Sequence, residues 1–442
     1  MKQNPSNLKP GDGLVLGQPF DPQVSANYRI PGLVYHNGML VATADVRWDQ
    51  EKDGGGLDLV VSRSADGTAW NYTIPGYLGD NGNAWNPDSS TLMDPLIISD
   101  GKRLYLLSDL FPAGYSLGAT STTHVFEDTG PAFDGAHRLL LSDDGGETYG
   151  FRLEDGEIVN SSGENTGWKV RDWFDLYDKK GNYVSNLFFV DSPYKTRPAG
   201  FICMSVSDDD GRTWSAPTLL DLKDEGTAWL VVGPGSGLVT RDGKLAFTAY
   251  DGENIYLVYG NGASWKKVKT GEAANESSVI ELRDGTIRAF VKRGGSNHVA
   301  YVDFTKQGSD YIPGKLVDTG DENFSHCMVS SLYYSKTYGG REVVLVCCPS
   351  DASGGLWAGR FRGKIYAYAL DENNDMILLG THRLNTGFFA YSNMAQLPDG
   401  TVGILYEDDC ISYAAGNHFG KASHISYVNI NVEDAFGIIF DE

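Results

Sequence analysis

Near the amino end stands Tyr28-Arg29-Ile30-Pro31, an arginine beside a proline at the head of an alternating apolar run through Leu33, Tyr35, Met39 and Val41. A guanidinium is a planar fork of donors that matches a carboxylate with two parallel hydrogen bonds. Proline lacks a backbone N–H, which places Pro31 at the first residue of a strand or on a sheet edge. Arg29 is therefore expected at the mouth of a strand, able to reach into a cleft. Three aspartates follow: Asp45, Asp49 and Asp53, the last opening the run Gly54-Gly55-Gly56-Leu57-Asp58. An ordinary solvated aspartate is an open reading for each of them. The eight histidines have no metal-ligand spacing, and His326 beside Cys327 is a lone pair of soft ligands. No phosphate-binding glycine loop or basic stripe is present.

The elements that must hold these groups are strands. Helical periodicity is nearly absent. The recurring unit is a short alternating segment, a Gly/Asn/Asp turn and another segment, as in Gly32–Ala44, Leu57–Ser62, Arg103–Ser108, Gly243–Tyr250, Thr286–Val291, Glu342–Cys347, Lys364–Leu370 and Thr401–Tyr406. Asn37-Gly38, Asp242-Gly243, Asp284-Gly285 and Asp399-Gly400 are hairpin signals between them. Many evenly spaced hairpins mean a sandwich, a barrel or a propeller.

Composition narrows the classes. A chain of 442 residues with 41% hydrophobic content supports a full core, and 54 glycines suit many tight turns. A net charge of −22 repels nucleic acid and anionic membranes, so no nucleic-acid partner is expected. Against that field an anionic ligand would need a local nest of arginines. Five cysteines, Cys347 and Cys348 within an apolar run, read as buried thiols and not as a disulfide framework. No run is long enough to span a bilayer, and Met1–Pro10 shows no signal-peptide core.

A repeated box selects among the β architectures. Ser207–Trp214 spells S-x-D-x-G-x-T-W in full; Ser64–Trp70 is one residue short, Gly260–Trp265 is degenerate, and Ser142–Tyr149 ends in Tyr instead of Trp. The box is a turn: its carboxylate accepts backbone N–H bonds, glycine supplies a positive φ and the indole packs between sheets. It lacks the rhythm of a calcium loop. With Tyr-Arg-Ile-Pro, these boxes make the chain resemble the bacterial sialidase (neuraminidase) family, exo-acting glycoside hydrolases. The resemblance runs from about Tyr28 to near the carboxyl end. It implies an all-β fold, a single six-bladed β-propeller over residues 1–442 with an irregular insertion at about 113–197, where a polar, Gly-rich stretch follows Asp109-Leu110-Phe111-Pro112-Ala113-Gly114.

The resemblance also implies roles, position by position. Arg29 takes the place of the first carboxylate-binding arginine, and Glu407 of the glutamate that supports it. Arg47, in Ala44-Asp45-Val46-Arg47-Trp48, lines the sugar site. Asp53 stands as general acid/base, with Asp49 and Asp45 as competitors. Glu276, in Asn275-Glu276-Ser277, is the base for the nucleophile Tyr391, in Phe389-Ala390-Tyr391-Ser392-Asn393. Arg360 is the third arginine, with Arg362 as alternate. The second arginine departs from the family pattern: the usual spacing reaches Lys292, and Arg293 stands one step later. Arg293 is taken as the binding residue, brought into line by a one-residue bulge; without the bulge Lys292 faces the ligand. Asp94 and Trp229 are expected as pocket walls.

A tyrosine nucleophile suits an anionic ketose, because a carboxylate nucleophile would be repelled by the sugar's own carboxylate. The implied activity is that of an exo-α-sialidase releasing terminal sialic acid from glycoconjugates with retention, needing no cofactor and no metal. The expected partner is a sialylated glycan, the expected state a monomer, and the family favours secretion or the cell surface. Intramolecular trans-sialidase action, or hydrolysis of a related 2-keto sugar acid, is an alternative on the same scaffold. A sialic-acid-binding propeller without turnover is a second.

Overall fold

Asn37 and Gly38 close a two-residue hairpin between strands Tyr28–His36 and Met39–Val46. Their φ values of 47° and 83° are those of a type I′ turn, whose twist matches that of the strands it joins. This hairpin is repeated round the molecule. The computed structural model describes residues 19–441 except 21–23, 26, 49–52, 77–87, 119–123, 128–129, 225–226, 273, 293–297, 323–326, 351–359 and 410–423.

Six sheets form the blades of a propeller, each mainly an antiparallel meander. Blade 1 holds Tyr28–His36, Met39–Val46, Asp58–Ser64 and Asn71–Thr73. Blade 2 holds Thr91–Ser99, Leu104–Phe111, Phe201–Ser207 and Thr218–Leu220. Blade 3 runs from Val231–Val232 through Leu245–Tyr250 and Ile255–Gly260 to Trp265–Lys269. Blade 4 holds Ser277–Glu281, Ile287–Val291, His298–Gln307 and Asp310–Glu322. Blade 5 holds Ser330–Tyr338, Arg341–Pro349, Gly363–Leu370 and Met376–Arg383. Blade 6 has three described strands, Ser392–Gln396, Val402–Asp409 and His424–Ile430. The fold is all-β; among the described residues a short helix, Val432–Phe436, follows the last strand.

The core is distributed between neighbours. Val41 and Ile97 join blade 1 to blade 2, Leu107 and Phe247 blade 2 to blade 3, Leu257 and Val302 blade 3 to blade 4, Phe290 and Val346 blade 4 to blade 5, and Leu345 and Ile404 blade 5 to blade 6. A sixth cluster, with Leu40, Trp70 and Leu405, joins blade 6 back to blade 1. Each blade buries both faces against neighbours, so the ring leaves few exposed edges. Asn393 Oδ1 accepts the Leu33 N–H at 3.1 Å across the closing seam.

The boxes mark equivalent places. In blades 1, 2 and 3 they connect the third strand to the fourth. Asp66 Oδ1 accepts from Thr68 N at 2.8 Å, Asp209 Oδ1 from Thr213 N at 2.8 Å, and Asn261 Oδ1 from Ser264 N at 2.8 Å. The indoles of Trp70 and Trp214 donate back to Gly67 O and Gly211 O. Ser142–Tyr149 is different. It turns a hairpin inside the insertion and belongs to no blade.

The insertion itself corrects an expectation. It is not irregular: seven antiparallel strands between Leu139 and Thr196 form one sheet, placed between the second and third strands of blade 2. Its polar, Gly-rich composition belongs to the hairpin turns. Asp143, Asn160 and Asp178 each accept backbone N–H bonds from residues two and four places on. Short strands with such turns carry too little alternation to stand out in sequence.

Candidate active site

The innermost strands of blades 1 and 2 share a distortion. The first shifts register between Arg29 and Gly32, the second between Met93 and Leu96. Ile30 and Asp94, each just before a proline, take φ of 59° and 55°. Pro31 lies inside the strand and not at its first residue, but that strand is the edge of its sheet, the other expected place, and a bulge there takes it out of the hydrogen-bond ladder. Left-handed backbone at non-glycine residues is strained and persists where surrounding structure over-determines it. Here it aims side chains at one end of the blades. Gly32 completes the close packing there: a Cβ on it would stand 2.4 Å from Gly235 O.

Cross-strand pairs at that end supply the chemistry. Arg29 lies opposite Asp45 in blade 1, and Met93 opposite Asp109 in blade 2. The blade 4 ladder runs without a shift to Ser277 and Val291, and one step on Lys292 N–H donates to Glu276 O at 2.8 Å. In blade 6 Glu407 N–H donates to Tyr391 O at 3.0 Å, one step past the Ser392–Tyr406 pair. The first two strands of three blades thus deliver Arg29 with Asp45, Glu276 with Lys292 and Tyr391 with Glu407.

These pairs meet across the axis. Tyr391 Oη donates to Glu276 Oε1 at 2.6 Å, and Lys292 Nζ donates to Glu276 Oε2 at 2.7 Å. The guanidinium carbons of Arg29 and Arg360 lie 5.4 and 5.2 Å from the Tyr391 ring centroid, and Lys292 Nζ lies 5.8 Å from it. Burial, reinforced by Glu276, pushes the Tyr391 phenol well above its ordinary pKa, while Arg360 and Arg29 pull the other way. Arg29 Nε donates to Glu407 Oε1 at 3.0 Å, and the same oxygen takes the Ile30 N–H at 3.0 Å. Arg360 stands just before the third strand of blade 5 and is buried.

A second layer of acids surrounds Arg47. This buried guanidinium donates to Asp53 Oδ1 at 2.5 Å and to Asp45 Oδ2 at 2.8 Å. Asp53, on the loop between the second and third strands of blade 1, keeps 49% of its side chain exposed and lies 3.7 Å from Arg29. Desolvation acts to raise its pKa, but Arg47, Arg29 and Arg360 outweigh that and hold it below the ordinary carboxylate range. Asp45 is fully buried and accepts the Asp94 N–H at 2.9 Å. Burial lifts its pKa to about 6 despite Arg47. Asp94 and Asp109 are lifted well above the usual range, by burial and then by other carboxylates; the Val232 N–H on Asp109 Oδ1, at 2.8 Å, only partly offsets this.

Of the residues singled out from sequence, Arg29, Arg47, Asp53, Asp94, Glu276, Arg360, Tyr391 and Glu407 converge on this site. Trp229 stands at its border, edge-to-face with Tyr250 at 5.5 Å. Arg293 and Asp49 lie outside the described residues. The bulge invoked to bring Arg293 into line is absent from the ladder up to Lys292, and Lys292 is the cation paired with Glu276. Asp45 is too enclosed to act on substrate. Asp109 and Tyr250 were not anticipated; only their place opposite or beside motif residues could have marked them. Among the described residues no group of His, Cys, Asp and Glu is arranged for a metal, and no helix is long and apolar enough to cross a membrane. Cys203, Cys327, Cys347 and Cys348 are free and buried.

No family model matches the chain. The anhydrosialidase of Macrobdella decora is 25% identical over 455 residues, covering 86% of this chain and 58% of that protein. Sialidase B of Streptococcus pneumoniae is 25% identical over 469 residues, covering 92% of this chain and 65% of that protein. The chain thus spans about three fifths of the length of these relatives. Among solved structures, the intramolecular trans-sialidase of Ruminococcus gnavus superposes with a TM-score of 0.80 at 23% identity, over 96% of this chain and 98% of that one. The NanB sialidase of Streptococcus pneumoniae gives 0.82 at 22%, over 96% and 71%. Along most of its length the chain is similar in sequence to these sialidases, and it shares their six-bladed fold.

Proposed function

We propose that the protein is a retaining exo-α-sialidase in which propeller and insertion act as one catalytic unit. The observation that carries this reading is the 2.6 Å hydrogen bond from Tyr391 to Glu276, with three cations around the phenol. Arg29 and Arg360 hold the sugar carboxylate on one face of the ring; Arg47, Asp94 and Trp229 border the rest of the sugar. Tyr391 Oη bonds to the anomeric carbon as its proton passes to Glu276 Oε1. The bond to the aglycone oxygen breaks, and Asp53 protonates that oxygen. Water, deprotonated by Asp53, then displaces the phenol, which recovers its proton from Glu276. Arg47, Arg29 and Arg360 favour the ionised form of Asp53. A sugar carboxylate held by Arg29 and Arg360 offsets those two cations and favours the protonated acid that the first step needs.

A fluorogenic sialoside assay tests the activity, with mass spectrometry of labelled peptide to locate the glycosyl group on Tyr391. A protein that binds sialosides without turning them over is a lectin and sinks this reading. A second outcome of the same chemistry is favoured by the similarity to the Macrobdella and Ruminococcus proteins: a hydroxyl of the sugar itself displaces Tyr391. Its product is lighter than free sialic acid by one water, which mass spectrometry distinguishes.

A further inference from the structure

We propose that Lys292 is a positioning residue that acts through Glu276, fixing which carboxylate oxygen receives the phenol proton, and is not a ligand of the substrate carboxylate. The inference rests on the sialidase reading above and deepens it.

The two contacts on Glu276 are complementary. Lys292 Nζ takes Oε2 at 2.7 Å and leaves Oε1 to Tyr391 at 2.6 Å. Both side chains of the ion pair are about nine-tenths buried. The backbone enforces the partnership. Lys292 N–H donates to Glu276 O at 2.8 Å and Asn275 N–H donates to Lys292 O at 2.9 Å, so the residues face each other across the end of the blade 4 ladder. A one-residue slip would turn Lys292 to the opposite face, and the register from Glu281–Ile287 to Ser277–Val291 has no shift that permits it.

Chemistry assigns the task. A lysine ammonium is a point charge on a flexible stem, without the fork that matches a carboxylate twice. Already held 2.7 Å from one carboxylate, it is poorly placed to grip another. Its contact does serve Glu276: it occupies Oε2 and keeps Oε1 turned to the phenol. When the proton arrives on Oε1, the ammonium still holds Oε2, so the carboxyl group keeps its orientation and returns the proton in the second step. Rotation of the carboxylate would instead break the short contact to Tyr391. Charge-assisted bonds of this kind are stronger than neutral ones and fix orientation.

Lys292→Met and Lys292→Arg test this, with circular dichroism and thermal unfolding as checks of fold. The probe is a 2,3-difluorinated sialosyl fluoride, whose covalent attachment is followed by mass spectrometry at several concentrations; kcat and KM come from a 4-methylumbelliferyl sialoside. Lys292→Met should lower both kcat and the maximal labelling rate about 100-fold, the low end of what general-base catalysis supplies, with half-saturating concentrations nearly unchanged. Lys292→Arg should restore most of the rate. A Lys292→Met protein with a raised KM and an intact kcat would show that Lys292 binds substrate, which overturns the proposal, as does an unchanged labelling rate. A wild-type protein that takes no label overturns the sialidase reading and this inference together; a labelled wild type with an indifferent Lys292→Met overturns the inference alone.

Discussion

Glu407 of the last blade holds Arg29 of the first, with Nε to Oε1 at 3.0 Å and the Ile30 N–H on the same oxygen, also at 3.0 Å. The contact spans 378 positions of sequence. It closes the ring on its inner side and orients a guanidinium of the proposed carboxylate clamp. Glu407→Gln keeps an acceptor for the Ile30 N–H but removes the charge opposite a buried cation. Breaking a buried pair in this way costs about 3–5 kcal/mol at the upper end. The melting temperature should fall, and KM for a sialoside should rise about tenfold or more, since about 1.4 kcal/mol is tenfold in affinity. An unchanged melting temperature and KM would remove Glu407 from both roles.

Tyr391 is proposed as the nucleophile. Tyr391→Phe keeps the ring among its three cations and loses only the oxygen. Turnover should drop by at least about a thousandfold, with binding of a non-hydrolysable sialic acid analogue retained in calorimetry. Turnover that survives at the wild-type rate assigns the nucleophile elsewhere.

Asp53 as general acid has a leaving-group signature. Its help is needed most where the departing oxygen is basic. Asp53→Asn should therefore reduce cleavage of a sialyl-lactose by about 10²–10⁴, the usual range for acid–base catalysis, and cleavage of an aryl sialoside much less. Equal losses on both substrates would argue for a binding role through Arg47, to which Asp53 is bonded.

Asp109 offers a prediction about stability. It is wholly buried, its Oδ2 has no hydrogen-bond partner, and burial with the nearby Asp94 lifts its pKa well above the ordinary value. A pKa higher in the folded than in the unfolded chain means the folded state binds the proton more tightly. The stability that follows is complete below about pH 4, the unfolded value, and is lost as pH rises toward the folded pKa. Asp45, lifted to about 6, adds loss in the same direction between about pH 4 and 6. Asp109→Asn resembles the protonated acid and cannot ionise. Urea unfolding should show the variant gaining on wild type by at least about 1.4 kcal/mol between pH 4 and pH 8, equivalent to one unit of pKa difference. A constant difference across that range would mean that Asp109 titrates alike in the folded and unfolded chain.

The architecture, and most of the residues that meet at the centre of the ring, were legible from local stretches of chain. Period-two alternation, paired Asn-Gly and Asp-Gly turns and three true boxes are local signals, each set by a few adjacent residues, and they specify hairpins whatever lies far along the chain. The strings around Arg29, Glu276 and Tyr391 were legible for the same reason. Register and burial were not legible, because both depend on segments far apart in the chain. Composition could not show that the stretch after Asp109 folds into a regular sheet, because its strands are short and its turns polar. Nor could it show that Lys292 meets Glu276, since one residue of slip reverses a strand's face and spacing alone does not record a slip. The lifted pKa values of Asp94 and Asp109 became visible only once distant blades had enclosed them, because the cost of burying a charge depends on every neighbour brought near it and not on the residues beside it in sequence.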